Sequence, residues 1–146
     1  MQMKFAHVSL VSRDWKALAD FYIRVFGCSV VGPSRNLQGP WVEQLTNLPQ
    51  AHLEGMHLQL PNSSATLEIF QYHNYLPTAT KEINREGWAH IAFAVEDVEA
   101  TVKRVLEAGG ALVGELVKAE VSQVGTIIVA YARDPEGNII EIQKWS

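Results

Sequence analysis

Phe5-Ala6-His7-Val8-Ser9-Leu10-Val11 and Trp88-Ala89-His90-Ile91-Ala92-Phe93-Ala94-Val95 are two copies of one signal, and together they decide the fold. Sliding the sequence by 83 positions lays His7 on His90, Asp14 on Asp97, Ala17 on Ala100 and Gly27 on Gly110. Each copy opens with a short apolar, β-branched run that reads as a strand. A helix follows in each, because Asp14 and Asp97 (or Ser12 in the first copy) are residues whose side-chain oxygen caps free first-turn amides. Trp15, Leu18, Phe21, Tyr22, Val25 and Phe26 recur at spacings of three and four, as do Val98, Val102, Val105 and Leu106. Such a stripe packs one helix face against a core. Gly27 and the Gly109-Gly110 pair stop the two helices.

Beyond each helix only strands are expected. In the first copy these are Ser29–Gly32, Trp41–Thr46, Gly55–Leu60 and Ala65–Tyr72; in the second, Leu112–Val117, Gly125–Ala132 and Asn138–Lys144. Arg133-Asp134-Pro135-Glu136-Gly137 turns the last hairpin, with Pro fixing φ and Gly supplying a positive φ. Residues 33–40, 47–54 and 73–87 are expected to be irregular. The predicted fold class is α+β: two tandem βαβββ modules forming a cupped mixed sheet. Residues 1–146 are expected to form a single domain, with module one at about 4–73, a linker at about 74–86 and module two at about 87–146.

Each copy ends on a strand built around a glutamate, Leu67-Glu68-Ile69-Phe70 and Ile140-Glu141-Ile142-Gln143, at an offset of 73. A carboxylate between apolar strand neighbours is costly unless it meets a cation, a metal or a proton. Taken singly, each His or Glu has a plainer reading as a hydrogen-bonded or solvated strand residue. Recurrence of both residue types at equivalent places favours a joint reading. If the modules pack with approximate two-fold symmetry, His7, Glu68, His90 and Glu141 are the ligands of one divalent metal ion. Imidazole nitrogen and carboxylate oxygen suit Zn, Ni, Co, Mn or Fe. His52, His57 and His73 are expected to be solvent-exposed, one of them available as a proton carrier. Cys28 reads as a small core residue, and Trp41, Tyr72, Tyr75 and Trp88 as pocket or core residues.

The net charge of −4, the pI near 5.7 and the absence of a Lys/Arg cluster argue against nucleic acid and anionic membranes as partners. A single cysteine allows no intrachain disulfide, and no apolar run is long enough to span a bilayer, so a cytoplasmic protein is expected. No glycine-rich phosphate loop, Ser-His-Asp arrangement or Cys-x-x-Cys pair is present.

The chain resembles the vicinal oxygen chelate superfamily, which contains glyoxalase I, methylmalonyl-CoA epimerase, extradiol dioxygenases, fosfomycin-resistance thiol transferases and bleomycin-binding proteins. The resemblance covers nearly the whole chain. It is carried by His7-Val8-Ser9-Leu10, the helix from Asp14 to Gly27, Leu67-Glu68-Ile69, His90 to Asp97, and most specifically Arg133 to Glu141. It implies paired βαβββ modules around a metal, with His7, Glu68, His90 and Glu141 at the ligand positions. Glu68 in the fourth position is similar to glyoxalase I, where the epimerases usually have Gln and the dioxygenases use only three protein ligands. The implied activity is that of a metal-dependent lyase or isomerase, with Glu68 or Glu141 as catalytic base and Glu54 and Glu43 as back-ups. The implied partners are a small-molecule substrate and a second copy of the chain in a homodimer. The alternatives are a non-catalytic small-molecule binder of the bleomycin-resistance kind and an Fe(II) dioxygenase. Two departures count against a glutathione substrate: the stretched Glu68…Tyr72-His73-Asn74 spacing, and Arg13 as the only suggestively placed arginine.

Overall fold

The computed structural model describes residues 1–146, and the chain divides into two compact units, Met1–Pro77 and Thr78–Ser146. Unit one contains β1 (His7–Val11), α1 (Trp15–Phe26), β2 (Ser29–Gln38), α2 (Pro40–Thr46), β3 (His52–Gln59) and β4 (Thr66–Tyr72). Unit two contains β5 (Ile91–Ala94), α3 (Val98–Glu107), β6 (Ala111–Leu112), β7 (Val117–Val121), β8 (Gly125–Arg133) and β9 (Ile139–Trp145). The architecture is α+β with two modules and two sheets. The first sheet runs β1-β4-β3-β2; the second runs β5-β9-β8-β6, with β7 also paired to β8. In each, the opening strand lies parallel to the closing one (β1 on β4, β5 on β9) and the remaining pairs are antiparallel.

The helices form for the reasons their sequences supply. The Asp14 carboxylate accepts from the Ala17 amide at 3.1 Å, and that of Asp97 from the Ala100 amide at 2.9 Å. Gly27 closes α1 in the left-handed region, φ 72°, where its missing Cβ avoids a clash. Leu18, Tyr22 and Val25 of α1 are buried, as are Leu58 of β3 and Leu67 and Ile69 of β4, the two strands the helix covers. In unit two, Val102 and Val105 are buried with Ala130, Ala132, Ile140 and Ile142 of β8 and β9, on which α3 packs. Each fully buried aliphatic side chain contributes about 1.5–3 kcal/mol relative to exposure.

Several expectations are corrected. Residues 41–46 form a helix: Pro40 starts it at N1, where a missing amide costs nothing, and only Val42 is buried. Val42 joins Ala51, Leu53 and Phe70 in a small cluster that Leu37 and Tyr72 flank. The stretch expected to be irregular from 33 is mostly strand, since β2 continues to Gln38 across a register shift between Val31 and Arg35. Leu106, Trp41 and Trp88 are exposed, so none of the three is a core residue. Cys28 is buried, as expected, and burial pushes its thiol up to about 11.

The Arg133–Asn138 stretch owes its form to Asp134, which is buried. Its Oδ1 accepts from the amides of Glu136 at 2.9 Å and Asn138 at 3.0 Å, and its Oδ2 accepts from Asn138 Nδ2 at 2.8 Å. Gly137, at φ 86°, returns its amide to the Asp134 carbonyl. This internally bonded turn fixes the β8–β9 register that sets Tyr131 opposite Glu141.

Candidate metal centre

In unit one, Glu68 lies in the middle of β4, between β1 and β3. Its neighbour on β1 is Ser9, and His7 stands two residues earlier on that strand, so the two share a face. His7 Nε2 lies 3.2 Å from Glu68 Oε1. His57 on β3 is directly opposite Glu68, and its Nε2 lies 3.1 Å from Oε2. Both carboxylate oxygens therefore meet an imidazole, and the two rings stand edge to face with centroids 6.0 Å apart. The Glu68 side chain is only 17% exposed and that of His57 21%, against 43% for His7 at the strand end.

His57 thus differs from its expected exposed position. Burial holds it below the usual histidine range, Arg35 and His7 push the same way, and the Glu68 carboxylate opposes them. Phe70 presents its ring to His57 at 5.8 Å, nearly perpendicular. That approach depends on Gly55: a Cβ there would lie 2.7 Å from Phe70 Cδ1 and 2.0 Å from the Ile69 carbonyl oxygen.

Unit two repeats the plan. His90 lies one residue before β5, and its Nε2 is 2.9 Å from Oε2 of Glu141 on β9. The side chains are 26% and 16% exposed. The place that His57 occupies opposite Glu68 belongs here to Tyr131, opposite Glu141 on β8, with its ring 5.2 Å from that of His90.

The geometry brings His7 to Glu68 and His90 to Glu141. Imidazole and carboxylate atoms 2.9–3.2 Å apart match the roughly 3 Å that separates neighbouring ligands when each bond to a first-row ion is about 2.0–2.2 Å. The donor chemistry fits such an ion, although no three His, Cys, Asp or Glu side chains already converge on one point. The two back-up bases stand elsewhere. Glu54 alternates with Gly55 and His57 along β3 and so lies on the opposite face from Glu68, while Glu43, on α2, accepts from the Gln50 amide. Sequence reading missed Tyr131 and took His57, one of three histidines offered as a proton carrier, for a solvent-exposed residue. Their signal was hairpin symmetry, since each pairs with its glutamate across one antiparallel turn.

The chain belongs to the Glyoxalase/Bleomycin resistance protein/Dioxygenase superfamily, whose family model matches residues 4–142. It is similar to a glyoxalase family protein from Bacillus cereus, with 24% identity and a TM-score of 0.78 over 99% of this chain and 94% of the other. A glyoxylase/bleomycin resistance protein/dioxygenase domain from Frankia sp. EAN1pec is 18% identical, with a TM-score of 0.64 over 100% of both chains. A glyoxalase family protein from Enterococcus faecalis is 22% identical, with a TM-score of 0.63 over 96% of each chain. At these identities the likeness is one of fold. No curated protein matches the chain. No helix is long and apolar enough to cross a membrane.

Proposed function

We propose that this protein is a divalent-metal-dependent lyase or isomerase that removes a proton next to a carbonyl and returns it to a neighbouring position. The substrate class is a small α-hydroxy or α-keto compound or thioester. His7, Glu68, His90 and Glu141 are the proposed ligands of Zn, Ni, Co, Mn or Fe. The carrying observation is that each unit presents an imidazole–carboxylate pair at ligand spacing, 3.2 Å in one and 2.9 Å in the other, on equivalent strands. When bound, the ion supplies Lewis-acid stabilisation of the oxyanion that develops on the substrate.

The chain's own residues divide the remaining work. His7 and His57 hold both oxygens of Glu68, whereas Glu141 has one imidazole partner. Glu141 is therefore the freer carboxylate and the base we assign, taking the α-proton and giving it back. Glu68 serves chiefly as a fixed ligand. Tyr131, beside His90, is placed to orient substrate oxygen. A homodimer is proposed on superfamily resemblance, and light scattering of the purified protein tests it.

The reaction is tested by loss of the substrate α-proton signal in deuterated water, with methylglyoxal hemithioacetals and acyl-CoA thioesters, with and without added metal. Metal-dependent exchange that Glu141→Gln abolishes is expected. Tight ligand binding without exchange would replace the reading with a binding protein, and metal-dependent oxygen consumption would replace it with an oxygenase.

A further inference from the structure

We propose that the free edge of β7 is a self-pairing surface, on which two copies of this chain join by antiparallel pairing of Val117–Val121 centred on Ala119. All five residues of β7 are exposed, and its one neighbour is β8. Which of its backbone groups stay open follows from the hydrogen bonds of β8. The Thr126 amide donates to the Ser146 carbonyl at 2.9 Å, and the Ser146 amide donates to the Thr126 carbonyl at 2.8 Å, so Thr126 faces the β9 side. The Tyr131 carbonyl accepts from the Val113 amide at 2.9 Å on the other side of the strand. Strand alternation then turns Gly125, Ile127 and Val129 toward β7, where they meet Val121, Ala119 and Val117. The amides and carbonyls of Lys118 and Glu120 are left pointing away from β8, to the open edge.

A second copy of β7 satisfies these groups by two-fold symmetry. Antiparallel pairing centred on Ala119 sets Lys118 opposite the partner's Glu120, and Glu120 opposite the partner's Lys118, each as a pair that exchanges both backbone hydrogen bonds. The same register brings ammonium to carboxylate, and neither side chain joins an ion pair within its own chain. On the other face Val117 meets the partner's Val121, a β-branched pair at each end of the ladder. An offset of one residue would set outward-facing groups against inward-facing ones and form no ladder. The next permitted registers would place Lys118 against the partner's Lys118, or Glu120 against the partner's Glu120, and like charges directly opposite are destabilising. Charges ordinarily guard an edge strand against pairing; here they admit one register and refuse its neighbours. A five-residue edge is smaller than the roughly 1,000 Å² that stable interfaces bury, so the association is reversible and concentration-dependent. This pairing gives a surface to the homodimer proposed above, on which it rests, and is independent of the metal and of the reaction.

Sedimentation velocity of the full chain from micromolar to millimolar concentration tests the pairing, and a monomer–dimer equilibrium is expected. Lys118→Glu or Glu120→Lys alone sets like charges opposite at two places and should weaken the dimer about tenfold. The two substitutions together restore opposite charges and should return the wild-type affinity. Hydrogen exchange reads the register. The Lys118 and Glu120 amides should gain protection as concentration rises, while those of Val117, Ala119 and Val121, already bonded to β8, should not change. A dimer that neither single reversal weakens would overturn this surface and leave the homodimer itself standing. Failure of the double exchange to restore affinity would overturn the register centred on Ala119. A chain that stays monomeric at every concentration would overturn the surface and the homodimer together.

Discussion

Replacing Asp134 with alanine tests how the superfamily's most specific sequence stretch works. The carboxylate accepts three hydrogen bonds at 2.8–3.0 Å, two of them from the buried Asn138. Truncation leaves the Asn138 amide and its Nδ2 without these acceptors, and each orphaned buried donor costs about 1–3 kcal/mol. The Glu136 amide sits closer to solvent and finds water. The expected loss is about 4 kcal/mol, which moves a urea midpoint by about 2 M if m is about 2 kcal/mol/M. Asp134→Asn keeps one oxygen for the two backbone amides and loses the pairing to Asn138 Nδ2, so it should fall between the two. Hydrogen exchange of the alanine variant should show loosened protection in β8 and β9 with β3 and β4 unchanged. A loss below about 1 kcal/mol would refute the claim that Asp134 holds the turn by hydrogen bonding.

Three further outcomes follow from particular contacts. Gly55→Ala drives a Cβ into the Ile69 carbonyl and the Phe70 ring, so it should cost about 1–3 kcal/mol and weaken metal binding, as denaturation and metal titration would reveal. His57→Leu removes the imidazole that holds Glu68 Oε2; metal affinity should fall about 10–100-fold, by analogy with orienting partners of other metal ligands, while His57→Gln, which retains a donor, should recover most of it. The Cys28 thiol, raised to about 11 from an ordinary 9.0, should resist aromatic disulfide reagents at pH 8 until the chain unfolds. The native state then keeps a proton that the unfolded state releases between those values, so stability should decline as pH rises from 9 to 11.

Sequence reading reached what local chemistry controls. The two aspartate caps, the buried stripe of α1 and the glutamate-centred strands all follow from residue type and spacing. It failed where tertiary pairing decides. Trp41–Thr46 carries the aromatic and β-branched residues Trp41, Val42 and Thr46, which suit a strand, but Pro40 at its head and a single buried valine go with a short helix. His57 looked exposed because nothing local discloses that β3 folds back on β4 in the register placing it against Glu68. Tyr131 escaped notice for the same reason, its partner Glu141 lying across a turn whose Asp134 hydrogen bonds set the pairing. Glu54, a back-up base by resemblance alone, falls inside β3 rather than in the irregular stretch expected at 47–54, and strand alternation turns it to the face opposite Glu68.

The central claim is that His7, Glu68, His90 and Glu141 together hold one ion. Nickel or zinc titration of the purified chain measures this most directly. One ion per chain is expected, with affinity falling at least tenfold on adding His7→Ala, Glu68→Gln, His90→Ala or Glu141→Gln singly. Saturable binding that all four substitutions leave intact, or no binding at all, would contradict the account.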